Sequence, residues 1–141
     1  MDPLIARALA ITPASTARER TIDITTTGAR TGRPRRIEVW FYRAYGEIYL
    51  TTTPARRSWY ANLRRHPRFT FHLKNGPRAD LAAVATPVLD ERERERVFRS
   101  VIADLEQPSN PAGIPQPVAP LAAWMTGSPL VRVSFPDEQD A

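Results

Sequence analysis

Two short stretches hold most of the residues able to do chemistry. The first is 25–36, TTTGARTGRPRR. Glycines at 28 and 32 let backbone N–H groups converge without Cβ obstruction, Thr31 offers a hydroxyl, and Arg30, Arg33, Arg35 and Arg36 offer guanidinium forks. That is equipment for a phosphate, or else a solvated hairpin loop in an arginine-rich chain. The second is 51–63, TTTPARRSWYANL. A strand ending in the hydroxyls of Thr52 and Thr53 passes through Arg57 into a helix that opens at Ser58. Free N–H groups at such a start favour negative charge or the electron-rich end of a ring system. Trp59 and Tyr60 add aromatic faces, with simple packing of the helix on a core as the alternative reading.

Other routes to catalysis are closed. The chain has no cysteine, only two histidines (His66 and His72), and no Gly-x-Ser-x-Gly, so thiol chemistry, a serine triad and a metal centre lack support. Neither a dinucleotide fingerprint nor a phosphate-binding loop of the Gly-Lys-Ser/Thr type is present. His66 sits before Pro67 at a helix end, His72 on the outward face of a strand, and the mixed charges of 91–96 read as a solvated helix surface. An anion cradle and an aromatic groove without an acid–base set imply chemistry carried by a bound cofactor.

Charge supports the same placement. The 141 residues carry net +5, and all but Lys74 of the 20 basic side chains are arginine. Residues 1–80 hold 15 basic and 6 acidic groups, whereas 81–141 hold 5 and 9, so an anionic partner belongs to the first half. No stretch approaches the roughly 18 apolar residues of a membrane span, and the first 11 residues are too interrupted for a secretory signal. The expectation is therefore a cytoplasmic protein. An amphipathic helix over 3–11 packs as a lid, with weak peripheral membrane contact as the lesser alternative.

The elements that position these residues follow from periodicity. Alternation predicts strands at 20–27, 35–43, 48–53, 68–74, 78–88 and 129–135, a meander closed by hairpin turns. Helices are expected over about 58–66, 91–105 and 121–125, the second opened by Asp90 with Glu93 three residues on. Five prolines between 108 and 120 exclude a helix or central strand there. The resulting fold class is mainly β, a six-stranded antiparallel split β-barrel with peripheral helices. We divide the chain as one domain: an arm (1–19), a barrel core (20–105), a Pro-rich loop and short helix (106–128), a last strand (129–135) and a tail (136–141).

The order Thr-Thr-Gly-x-Arg-Thr-Gly-x-Pro-Arg (26–35), a glycine turn at 46, Thr52-Thr53 and Ser-Trp-Tyr-x-Asn-Leu-x-x-x-Pro (58–67) resembles the deazaflavin-dependent nitroreductase family. The resemblance spans about 20–104. It departs from the family at Ala29, where a basic residue is usual, and at 54–58, where a Gly-rich stretch is usual. It implies the split barrel shared with flavin-binding pyridoxamine-phosphate-oxidase-like proteins. It also implies hydride transfer from coenzyme F420, which carries a phosphate and an acidic tail, to a quinone, nitroaromatic or enone. Carried over, Arg30, Thr31 and Arg35 would hold the phosphate, with Arg33 and Arg36 nearer the tail. Thr52, Thr53, Arg57, Ser58, Trp59 and Tyr60 would lie along the ring, with Asn62 supporting the helix start.

Trp40, Tyr60 and Trp124 are the candidates for the side facing a small-molecule electron acceptor. FMN is the alternative cofactor, but it lacks an acidic tail and leaves the surplus arginines unexplained. A nucleic-acid partner is disfavoured, because the aromatics do not alternate with arginines along one outward strand face. The face of Trp40 and Tyr42 suits either a homodimer contact or a groove wall.

Overall fold

The computed structural model describes residues 1–138, so of the tail assigned to 136–141, residues 139–141 lie outside the described residues. Six antiparallel strands, β1 (Thr21–Thr27), β2 (Pro34–Ala44), β3 (Glu47–Thr51), β4 (Arg68–Leu73), β5 (Ala79–Pro87) and β6 (Leu130–Ser134), close into a barrel. Around it the strand order is β1-β2-β3-β6-β5-β4. Closure pairs every strand on both sides and leaves no sheet edge exposed.

Inward positions follow the period of two read from the sequence. Ile22 and Ile24 of β1, Val39 and Phe41 of β2, Leu50 of β3, Phe71 of β4 and Val131 of β6 share one interior cluster. Phe41 and Phe71 meet edge to face with centroids 5.5 Å apart, a geometry that aromatic quadrupoles favour.

Among the described residues five α-helices lie outside: α1 (Pro3–Leu9), α2 (Ala17–Arg20), α3 (Ser58–Arg65), α4 (Glu91–Leu105) and α5 (Leu121–Gly127). The Asp90 side chain caps α4 by accepting from the Glu93 N–H at 2.9 Å, as the sequence pattern requires. Val97, Phe98, Val101 and Leu105 of α4 pack with Tyr42, Tyr49 and Trp124 in a second cluster outside the barrel. Burying those four α4 side chains contributes about 6–12 kcal/mol before conformational entropy is counted.

Four expectations change. Tyr42 lies buried within that second cluster, which removes it from any surface shared with another copy, while Trp40 is only partly buried. Arg94, within the run expected to be solvated, turns inward and donates to the carbonyls of Val88, Met125 and Ser128. His72 does face outward, yet it is 6% exposed, bridging Thr25 at 2.7 Å and Asp80 at 2.6 Å. Arg20, placed at a strand start by pattern alone, ends α2 with 0% exposure. It makes a bidentate pair with Asp104 of α4 (2.7 and 2.9 Å). The short α2 carries a capping box of Thr16 and Glu19, legible in the sequence as Thr-x-x-Glu.

Among the described residues no helix is long and apolar enough to cross a membrane. No group of three or more His, Asp or Glu side chains among them could hold a metal ion.

Candidate functional site

The loop between β1 and β2 is built around its glycines. A Cβ on Gly28 would stand 2.6 Å from the Thr31 Oγ1, and Gly32 takes φ +68°, a backbone region costly for other residues. The Gly28 N–H donates to the Arg33 carbonyl (2.8 Å) and the Gly32 N–H to the Gly28 carbonyl (2.9 Å), so both are spent closing the loop. The N–H groups left without a protein partner are those of Arg30 and Thr31 at the loop tip.

Asn62 of α3 ties this loop to the helix. Its Oδ1 accepts from the Ala29 N–H at 2.9 Å, and its Nδ2 donates to the Thr26 Oγ1 at 3.0 Å. The side chain expected to support the helix start therefore anchors the glycine loop instead. No side chain caps α3, and its first intrahelical donors are the Tyr60 and Ala61 N–H groups. The Ser58 and Trp59 N–H groups thus stay open at the positive end of the helix dipole.

Between loop and helix runs a cleft of about 600 Å³, with Arg30, Thr31, Arg35, Ser58, Trp59 and Asn62 in its walls. Register explains which arginines enter. Arg35 sits opposite Thr26, on the face that meets α3, whereas Arg36 opposes Thr25 and points to the other face. There the Arg36 Nε donates to Asp23 at 2.9 Å, and Lys74 joins Asp23 to Glu38. Burial pushes the Asp23 carboxyl up, but the hydrogen bonds from Lys74 and Arg36 outweigh it and hold the group below the ordinary carboxylate range. Arg36 is therefore committed, and Arg33 is exposed outside the cleft.

A second cleft, of about 500 Å³, takes Glu38 and Arg57 into its walls where the first takes their chain neighbours Ile37 and Ser58, and no residue lines both. Its walls are mostly apolar: Val39, Trp40, Leu105 and, from the Pro-rich loop, Ile114, Pro115 and Val118. Asn110 braces that loop by bonding both the N–H and the carbonyl of Ile114. Thr52, Thr53 and Arg57 supply the polar end. The Arg57 Nη2 donates to the carbonyl and hydroxyl of Thr53 at 3.1 and 3.0 Å, which fixes its guanidinium plane.

The three acceptor-side candidates separate. Trp40 walls the second cleft. Trp124 backs the same wall but is 1% exposed, packed on Phe98 with its indole N–H donated to the Ala119 carbonyl. Tyr60 lies outside that cleft, on another face of α3.

The described residues contain four buried polar side-chain atoms without a partner, and three of them sit on residues that line these clefts: Thr52 Oγ1, Arg57 Nε and Trp59 Nε1. Each unmade bond costs about 1–3 kcal/mol, so a polar ligand that satisfied all three would recover several kcal/mol.

The model of the F420H2-dependent quinone reductase family matches residues 13–109, more than half of the chain. The chain belongs to that family. It is thus an F420-dependent reductase, and F420 is its cofactor. No curated protein sequence matches it. Among solved structures, a conserved hypothetical protein from Mycobacterium tuberculosis is similar at 26% identity and TM-score 0.56, over 82% of this chain and 72% of that one. A pyridoxamine 5'-phosphate oxidase-related, FMN-binding protein from Nostoc punctiforme shares the fold at 14% identity and TM-score 0.53, covering 96% and 82%. A nimc/nima family protein from Clostridium acetobutylicum does so at 11% identity and TM-score 0.52, covering 82% and 71%.

The donor set fits an F420-type cofactor. Arginines and open N–H groups suit a phosphate in the first cleft, and the unpaired Thr52 and Arg57 donors suit ring carbonyls at the mouth of the second.

Proposed function

We propose that this reductase holds the F420 phosphate in the first cleft and the deazaflavin ring across the boundary into the second, where the acceptor is reduced. The arrangement that carries the reading is the convergence of Arg30, Arg35 and the open N–H groups of the loop tip and α3 on one hollow. Two guanidinium forks and a helix start acting together exceed what a solvated hairpin requires.

When bound, the reduced cofactor supplies a hydride. The chain's own residues bind, orient and shield. Arg30, Thr31 and Arg35 fix the anionic end, while Asn62 keeps loop and helix at a constant separation. The Ser58 and Trp59 N–H groups, Trp59 Nε1, Thr52 Oγ1 and Arg57 Nε present donors along the ring's path. Donors held in place before the reaction need no reorganisation as charge shifts. Trp40 and the Pro-rich loop form a largely apolar slot against which a flat acceptor lies. That slot favours a quinone or nitroaromatic over a flexible enone, because planar rings recover more stacking area between Trp40 and the prolines.

The test is a fluorescence titration of the chain with F420, with Arg30→Ala and Arg35→Ala beside the wild type. Each substitution is expected to cost about 1.5–3 kcal/mol, the scale of a hydrogen bond to a charged group. Wild-type affinity in both variants would remove the phosphate assignment while leaving the cofactor's identity intact.

A further inference from the structure

A third hollow, of about 470 Å³, opens on another face of α3, where residues 57, 60, 61 and 64 line up at helical spacing. Arg56, Arg57, Arg64 and Arg94 stand in its walls, and no carboxylate does. None of the four forms an ion pair among the described residues. Arg64 lies over the Tyr60 ring at 5.7 Å, and Arg57 is pinned to Thr53.

Arg94 is the informative member. Carbonyls of Val88 (3.2 Å), Met125 (2.9 Å) and Ser128 (3.0 Å) hold its guanidinium, so its position is fixed while its charge is left uncompensated. Burial lowers its pKa, against a smaller raising effect of Tyr60. Ser128 adds a second observation. It is 4% exposed, it stands in the same wall, and its Oγ has no partner. Four cations and a free buried hydroxyl around one hollow, without a single acid, are the complement of a compact anion.

We propose that this hollow binds an oxyanion group, a phosphate or carboxylate, at a site separate from the loop cradle between β1 and β2. The site shares Arg57 with the cleft proposed for the cofactor ring, and Arg56, Arg64, Arg94 and Ser128 belong to it alone. The oxyanion is either a free solute or a group carried by the acceptor, whose slot this hollow adjoins through Arg57 alone.

Inorganic phosphate, titrated into the full chain at constant ionic strength and followed by calorimetry, tests the proposal. Two saturable sites are expected in the wild type. One is lost in Arg30→Ala/Arg35→Ala. The other weakens at least tenfold in Arg56→Ser/Arg64→Ser, which changes only exposed side chains, and several-fold in Ser128→Ala. Undiminished phosphate binding in both of these last variants, with every bound equivalent lost on substituting Arg30 and Arg35, would overturn it. Steady-state assays with 1,4-naphthoquinone and its 2-sulfonate then identify the source. A KM raised about tenfold for the sulfonate alone in Arg56→Ser/Arg64→Ser means an acceptor-borne anion, and equal KM values for the two acceptors mean a free one.

Discussion

Asn62→Ala is the perturbation that most directly tests how the site is held. The side chain is 7% exposed and bonds both Ala29 and Thr26, so truncation removes two hydrogen bonds and strands a backbone donor. The expected loss is about 2–3 kcal/mol. For a chain of this length a melting temperature falls by about 3–4 °C per kcal/mol, so the shift should be about 6–12 °C in a circular-dichroism melt. Affinity for F420 should fall with it, because the loop tip is no longer fixed against α3. Asn62→Asp separates the two effects. An Asp oxygen still accepts from the Ala29 N–H, and the Thr26 hydroxyl can reverse its role and donate. That variant should melt close to the wild type. Its new negative charge in the anion cleft costs binding about 1–2 kcal/mol at an effective dielectric near 20, roughly tenfold. An Asn62→Ala chain that melts within about 2 °C of the wild type, a surface-like effect, and binds F420 undiminished would refute the clamp.

Other consequences can be measured alongside. Arg20→Met leaves Asp104 without its partner beside Tyr42 and should cost about 3–5 kcal/mol in urea denaturation. Thr52→Val removes a buried hydroxyl that has no partner, so stability should hold or rise by up to about 1 kcal/mol while F420 turnover falls. Asp23 has a folded pKa below its ordinary 3.8. Its contribution is therefore complete above that value and lost as pH falls through the folded one. Wild type and Asp23→Asn should accordingly differ most at neutral pH and converge below about pH 3.8 in urea curves recorded from pH 7 to 2. Arg36→Ala, whose side chain is committed to Asp23, should leave F420 affinity within about twofold of wild type, inside the range of ordinary surface substitutions.

The barrel was readable because its strands bury one face: in β1 the alternation of Ile22 and Ile24 with Asp23 and Thr25 is the burial pattern itself. The bounds of α4 were equally legible, from Asp90 and Glu93 at its start and an apolar stripe along its length. Where meaning depended on distant partners, pattern failed. Arg20 reads as no more than the first residue of an alternating strand, with nothing nearby to hold a guanidinium, until Asp104, 84 positions away, pairs with it. Arg94 looks like any member of an alternating charge run until carbonyls from the end of α5 close on it. Within the site, the residue types at 30, 35, 58 and 59 pointed to an anion, but register alone decided that Arg35 enters and Arg36 leaves. Thr16 and Glu19 were a visible capping box whose four-residue helix is too short for any periodicity to mark.

The most direct test of the site is a paired titration, F420 against FMN, on the wild type and on Arg30→Ala/Arg35→Ala. The geometry predicts saturable F420 binding weakened at least a hundredfold in the double variant, with FMN bound more weakly than F420 by the wild type. Equal F420 affinity in the two proteins, or FMN bound as tightly as F420, would contradict it.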